Sequence, residues 1–342
     1  MAELESHPTP PHRDVRLLSV VAPMHDEEAT VELLYERVRD ALDGVRFELV
    51  LVDDASRDTT PQRLDSLADA DPRVKVLHLA RSFGHQAALT AGLEHASGDV
   101  VVMMDGDLQD PPEVIPEMLA RWREGFDVVF GAREQRAGEG WFKLATARWF
   151  YKLFSRVTKL DLPQNAGDFR LLDRSALDAI LSMRERNRFL RGMTTWVGGR
   201  QIAVHYHRDA RHAGETKYTF SRMVRFSLDA MTSFSWLPLQ AATLLGFVFS
   251  IVAFLGLPLV IVARYAHIYV RGVSSILFVI LLLGGIQLIT VGIIGEYVGR
   301  IYDEVKGRPL YLVRTRLNMP EDFEPRPAEP TRSPAALSPP RD

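Results

Sequence analysis

The sequence predicts an α/β domain with a mostly parallel sheet, followed by two membrane-spanning helices. Three observations predict it. Short, nearly continuous Val/Leu runs alternate with helix-length segments between Leu17 and Gly131, the pattern of a sheet covered on both faces. Polar clusters recur where those runs end, at Pro23 to Glu28, Asp53 to Thr59 and Asp105 to Gln109. Two almost uninterrupted apolar runs follow, Leu239 to Val262 and Val273 to Ile294, each near the roughly 20 residues that cross a bilayer.

Taken in order, residues 1–15 are polar and Pro-containing and are expected to be disordered. They hold no apolar stretch of the kind a cleaved signal needs, so the first domain, residues 16–236, is expected in the cytoplasm. Strands are predicted at Leu17 to Ala22, Phe47 to Val52, Val74 to Leu79, Val100 to Met104 and Asp127 to Gly131. Helices fall between them at Thr30 to Leu42, Pro61 to Ala68, His85 to Ala96 and Pro112 to Glu124, the last opened by Pro111 and Pro112. Residues 141–160 mix Trp, Phe and Tyr with Lys143, Arg148, Lys152, Arg156 and Lys159. Two readings stand for this segment: a helix lying on an anionic membrane surface, or a core-facing helix with a solvated basic face.

The two apolar runs, within residues 237–300, are joined by a short connector, residues 263–272, holding Arg264 and Arg271. Arg222, Arg225, Arg300, Lys306, Arg308, Arg314 and Arg316 flank the outer ends. This heavier basic load puts both termini on the cytoplasmic side of a plasma membrane. Pro258 is placed to kink the first run, and residues 301–342 read as a cytoplasmic tail, disordered after about Asn318. The chain has 342 residues, with 41 Lys and Arg against 44 Asp and Glu, a net charge of -3 that argues against a general nucleic-acid binder. With no cysteine, disulfides, thiolate metal sites and Cys nucleophiles are excluded.

The most informative cluster is Asp105-Gly106-Asp107, with Gln109 two residues on, directly after an apolar strand. Two carboxylates so spaced at a strand's carboxyl end can share a divalent ion, and hard oxygen ligands suit Mg²⁺ or Mn²⁺, the usual grip on a diphosphate. A solvated turn is the plain alternative, and the preceding strand favours the metal. Asp53 and Asp54 end the second strand, where an acid can accept hydrogen bonds from a ribose or base edge, while Asp58 and Thr59 suit a helix cap. The absence of G-x-G-x-x-G disfavours a dinucleotide oxidoreductase. Glycine in Arg81-Ser82-Phe83-Gly84-His85-Gln86 permits close backbone approach to an anion at the following helix start. His25 and His85 are assigned no catalytic role.

The ordered set PMHDEE (23–28), VDDASRDTT (52–60), RSFGHQAALTAGL (81–93), DGDLQDPPE (105–113), GAR (131–133), GDFRLLDR (167–174) and GETKY (214–218) resembles glycosyltransferase family 2. Within it the likeness is to polyprenyl-phosphate glycosyltransferases related to dolichol-phosphate mannose synthase, and it runs from about Leu17 to Arg308. The resemblance implies a GT-A fold in which Pro23, Asp26, Glu27, Asp53, Asp54, Arg81, Gly84, Gln86, Asp105 and Gly106 line the nucleotide-sugar site. Asp105, Asp107 and Gln109 would hold Mg²⁺ or Mn²⁺ and the diphosphate. Asp26 stands where relatives commonly carry Asn. By the same resemblance Arg133 meets phosphate at the active centre. Lys143 faces the lipid phosphate, although Ala147 replaces a serine of relatives, and Arg211 and Lys217 belong to a loop closing over both substrates. Asp168 matches the catalytic acid of relatives, with a turn before a strand as the plain alternative. Because the acceptor phosphate is already largely ionised at neutral pH, with a second pKa near 6, Asp168 is expected to orient as much as to deprotonate.

The implied reaction is metal-dependent, inverting transfer of one sugar from a UDP- or GDP-linked donor to polyprenyl phosphate at the membrane. The bilayer would be a partner, nucleic acid would not, and the resemblance is compatible with a homo-oligomer. A processive polysaccharide synthase would carry Gln-x-x-Arg-Trp and more spans, and neither is found. A non-catalytic membrane scaffold is the rival of another class, disfavoured by intact Asp105, Asp107 and Gln109.

Overall fold

A computed structural model describes residues 13–133, 166–183, 185–207 and 273–320, with isolated positions between 239 and 262. The basic segment 141–160, the loop at 214–218, most of the first apolar run, residues 1–12 and residues 321–342 lie outside the described residues, and with them Lys143, Arg211 and Lys217. The chain divides into two compact units, residues 1–217 with 309–342, and residues 218–308.

The first unit is an α/β domain. Its strands are β1 (Leu18–Met24), β2 (Phe47–Asp53), β3 (Val74–Leu79), β4 (Val100–Met103), β5 (Val128–Arg133), β6 (Ala166–Asp173), β7 (Gln201–Tyr206) and β8 (Val313–Leu317). Among the described residues they form one sheet in the order β7-β5-β6-β4-β1-β2-β3-β8. The helices are α1 (Val31–Ala41), α2 (Thr60–Ala70), α3 (His85–His95), α4 (Ile115–Arg123), α5 (Arg174–Ser182) and α6 (Leu190–Val197), with a short 3₁₀ turn, Pro112–Val114, before α4. Strands and helices predicted up to Gly131 all occur with bounds moved by a residue or two, except that the helix expected from Pro112 opens with a 3₁₀ turn and becomes α-helical only at Ile115.

Strands β4, β1, β2 and β3 run parallel. Every residue of β1 and β2 is buried, which is why they read as unbroken apolar runs rather than alternating ones. The chain moves from β1 outward to β2 and β3, then returns to the other side of β1 with β4. Ligands of such sheets usually lie outside the carboxyl ends of the strands near such a reversal. β6 runs against β4 and β5, so its amino end lies at the edge where its neighbours end.

β8 differs from expectation. Residues after the long helix were expected to be tail, yet Val313–Leu317 pairs antiparallel with β3 and covers that otherwise open edge. The Asn318 amide donates to Ala68 O at 2.6 Å and Val74 O at 2.9 Å, and the Tyr311 hydroxyl donates to Glu94. Val313, Thr315 and Leu317 alternate with Arg314 and Arg316, a strand signal that is overlooked because the segment stands beside a Pro-rich tail.

The second unit contains α7 (Val273–Val305). The second apolar run continues as helix past Ile294, and Leu282–Val305 is long and apolar enough to cross a membrane, the one such helix among the described residues. Of the expected pair, the second is matched by a helix of that length and composition, and the first falls largely outside the described residues.

One buried pair makes stability depend on pH. His78, 9% exposed on β3, lies between Asp53 Oδ2 at 3.0 Å and Asp65 Oδ1 at 2.8 Å. The Asp53 hydrogen bond, aided by Asp65, outweighs burial and raises the His78 pKa above its ordinary 6.5. For Asp53 burial pushes upward, but the bonds from His78 and Ser56 prevail and lower it below 3.8. A raised histidine stabilises fully below its unfolded pKa and loses that contribution as pH rises through the folded value. The lowered aspartate does the reverse, contributing above its unfolded pKa. The stability difference between the protein and His78→Gln is therefore expected to be largest between pH 4 and 6.5 and to shrink above it, as urea unfolding at several pH values would show. A difference independent of pH would remove the pair from the account.

Candidate active site

Three loops meet at the sheet edge, and each contains a non-glycine residue in the left-handed region: Asp26 (φ 54°) after β1, Ala55 (φ 56°) after β2 and Leu108 (φ 58°) after β4. Such backbones cost on the order of 1–3 kcal/mol each and persist where surrounding contacts enforce them. Here the enforcement is visible. The Asp26 N–H donates to Ser56 Oγ at 3.1 Å while its carboxylate accepts from Arg57 N at 2.7 Å. Thr60 Oγ1 lies 2.9 Å from Glu27 N, and Thr30 Oγ1 donates to Gly106 O at 3.0 Å, joining the β1 and β4 loops. Gly106 sits so close to β1 that an added Cβ would lie 2.4 Å from Met24 Sδ and 2.8 Å from Pro23 O. Pro23, at the buried end of β1, thus forms part of the wall beneath the acidic loop.

The paired acids after β2 have separate tasks. Asp53 accepts from Ser56 N at 2.9 Å and faces His78. Asp54 accepts from Ser82 Oγ at 2.8 Å, Phe83 N at 2.7 Å and Gly84 N at 3.0 Å, fastening the loop that leads into α3. Arg81, exposed on that loop, stacks over Phe83 at 4.3 Å. Asp58, not Thr59, caps α2, accepting from Thr60 N at 3.0 Å.

At the centre, β4 and β6 pair with Met103 opposite Arg170. Continuing that antiparallel register two residues brings Asp105 opposite Asp168, although they are far apart in sequence. Asp168 is thus inside β6 and 3% exposed, not in a turn before it. His85, the first residue of α3, places Nε2 3.2 Å from Asp168 Oδ2 and 3.5 Å from Asp105 Oδ1. His85, expected to carry no catalytic role, thus lies between the two acids, a placement the sequence did not indicate. Arg191 on α6 binds Asp168 through Nε at 2.7 Å and Nη2 at 3.2 Å, and Gln86 Nε2 approaches it at 3.5 Å.

Burial alone would raise both acids, but they respond oppositely. In Asp168 the hydrogen bonds and charges of His85 and Arg191 overcome burial and hold its pKa well below the carboxylate range. In Asp105 burial, reinforced by Asp110, Asp168 and Asp107, outweighs His85 and lifts the pKa to about 6. Asp105 Oδ1 is buried without a hydrogen-bond partner. One donor atom each from His85, Asp105 and Asp168 lies within 4.8 Å of the others. A buried carboxylate oxygen that accepts no hydrogen bond amid this much negative charge fits a hard divalent cation. Asp107 is outside that group: 9% exposed, it accepts from Gln109 N at 3.2 Å and closes the turn.

Arg133, the last residue of β5, lies 3.3 Å from the Tyr206 hydroxyl and 3.6 Å from Asp110. Tyr206 in turn donates to the fully buried Asp110. Gly167 leaves room for this guanidinium, since a Cβ there would meet Nη2 at 2.6 Å. His85, Asp110, Arg191 and Tyr206 were not foreseen. His85 and Asp110 lie inside motifs already singled out and could have been found there, whereas Arg191 and Tyr206 carry no local signal.

The family model of glycosyl transferase family 2 matches residues 19–181. The chain is 44% identical over 299 residues to the uncharacterized glycosyltransferase YkcC of Bacillus subtilis, covering 86% of this chain and 93% of that one. The chain belongs to glycosyl transferase family 2. It is a glycosyltransferase, and its α/β unit is the GT-A-like domain of that family. It is also 41% identical over 300 residues to the prophage bactoprenol glucosyl transferase homolog of Escherichia coli, covering 87% of this chain and 98% of that protein. The bactoprenol glucosyl transferase of Shigella phage SfII matches at 41% as well, over 87% and 97% of the two chains. Among solved structures, glucosyl-3-phosphoglycerate synthase from Mycobacterium tuberculosis shares 22% identity at a TM-score of 0.46, over 64% of this chain and 80% of that one.

Proposed function

We propose that this glycosyltransferase moves a single sugar from a nucleoside-diphosphate donor to polyprenyl phosphate at the cytoplasmic membrane face. The observation that carries the reading is near full-length similarity to proteins named bactoprenol glucosyl transferase. The cluster of His85, Asp105 and Asp168 at the sheet edge and the long apolar helix α7 support it. A domain of residues 16–236, two spans with both termini cytoplasmic, and a basic segment at 141–160 on the bilayer complete the proposed arrangement. Holding the enzyme where the lipid phosphate resides turns a search in three dimensions into a local encounter.

In this reading an acceptor phosphate oxygen forms a bond to the anomeric carbon from the face opposite the nucleotide. The bond to the diphosphate oxygen breaks, and the electron pair leaves with the nucleoside diphosphate, giving inversion. A divalent ion held by Asp105, with Asp168, Asp107 or Gln109 contributing, would supply Lewis acidity to that leaving group. Asp168 orients the acceptor, whose phosphate needs little deprotonation at neutral pH. Arg133, set by Tyr206 and Asp110, offers a positive charge to phosphate, and Lys143, Arg211 and Lys217 are assigned to the same task. Pro23, Asp26, Glu27, Asp53, Asp54, Arg81, Gly84 and Gln86 shape the nucleotide pocket, Asp54 by tying its loop.

The test is incubation of the detergent-solubilised protein with radiolabelled UDP- and GDP-sugars, UDP-glucose first, and polyprenyl phosphate. Label is expected in the lipid fraction, lost on chelation and restored by Mn²⁺ or Mg²⁺. Transfer undiminished by chelation would remove the metal, and no product from any donor would favour a scaffold.

A further inference from the structure

We propose that Arg191 is a positioning residue that sets the orientation of the Asp168 carboxylate for sugar transfer. The inference rests on the reading of Asp168 as a group acting at the transfer site. Two nitrogens of one planar guanidinium meet the two oxygens of one carboxylate, Nε to Oδ1 at 2.7 Å and Nη2 to Oδ2 at 3.2 Å. This fork fixes the carboxylate plane, which a single hydrogen bond does not. His85 meets Oδ2 from the other side at 3.2 Å, so the carboxylate is held between two helix starts.

The base of Arg191 is itself secured. Leu190 N donates to Gln86 Oε1 at 3.1 Å, tying the first turn of α6 to the first turn of α3. The Arg191 carbonyl accepts from Thr194 Oγ1 and Thr195 Oγ1 at 3.0 Å each, and from Arg170 Nη1 at 3.3 Å. Arg170 is 1% exposed, and it also donates to Thr194 Oγ1 and approaches Gly167 O at 3.4 Å. A buried arginine is expensive to keep, and this one spends its donors on α6 and on the strand that carries Asp168. By contrast the Arg191 side chain is 33% exposed. Its loss therefore costs the fold little packing, while the carboxylate loses its fork.

The experiment compares Arg191→Ala, Arg191→Lys and Asp168→Asn in the full-length protein, using the lipid-linked transfer assay. Asp168→Asn is expected to lower kcat by about a hundredfold or more. Arg191→Ala should lower kcat at least tenfold, with donor KM within about twofold, and should lower the melting temperature because the buried Asp168 carboxylate loses its charged partner, a loss that Arg191→Lys largely avoids. Added guanidinium is expected to restore part of the kcat of Arg191→Ala and none of that of Asp168→Asn. Arg191→Lys keeps the charge without the fork and should remain impaired. An Arg191→Ala variant with parental kcat beside an inactive Asp168→Asn would overturn the inference alone, as would full recovery in Arg191→Lys. Parental kcat in Asp168→Asn would overturn the underlying reading as well.

Discussion

Replacing Asp105 with asparagine is expected to lower lipid-linked product about a thousandfold, the largest effect of any single substitution in this site. The side chain keeps its shape but loses the charge that a divalent ion needs. The fold should survive, because Asp105 is crowded by Asp107, Asp110 and Asp168, and removing one charge relieves repulsion. The opposite effects on activity and stability are the mark of a group kept for function at a cost in stability. Transfer rates and melting temperatures of the purified variant would show both. An Asp105→Asn protein retaining a tenth of parental activity would sink the metal assignment.

Phe169→Ala is expected to cost about 3–5 kcal/mol of stability, by the usual penalty for emptying a buried aromatic site. Phe169 is fully buried and packs edge-on against Tyr206, with ring centroids 5.6 Å apart. Its neighbours Asp168 and Arg170 alternate with it along β6, so Phe169 and Leu171 point to the face opposite the Asp168 carboxylate. The melting temperature should fall by roughly 10 °C for a unit of this size. A fall of only a degree or two would mean that the β6 face is not packed as described.

Much of the fold was readable because its signals are local. Val74–Leu79 and the start of α3 at His85 coincide with the predicted bounds, since an apolar run or a glycine-preceded helix start needs no distant partner. The acidic loop was legible for the same reason, an apolar strand running into Asp105 two residues past its end. Asp54 was placed at the right edge, but its use as a three-bond anchor for the α3 loop depends on Ser82, Phe83 and Gly84 arriving beside it. His85 was dismissed because a lone histidine carries no message until its neighbours are known. The edge strand Val313–Leu317 was missed beside a Pro-rich tail, and its partner β3 lies far away along the chain.

Residue order alone determined the run of parallel strands, the cluster of acids at their ends, the apolar helix and the family, since periodicity and motif spacing are written within a few turns of chain. Only the tertiary structure decided that β6 runs against β4 and sets Asp168 opposite Asp105, that His85 and Arg191 flank that pair, and that the chain returns after α7 to close the sheet. Register between distant strands is the sum of many small contacts, none of which leaves a mark in either strand by itself.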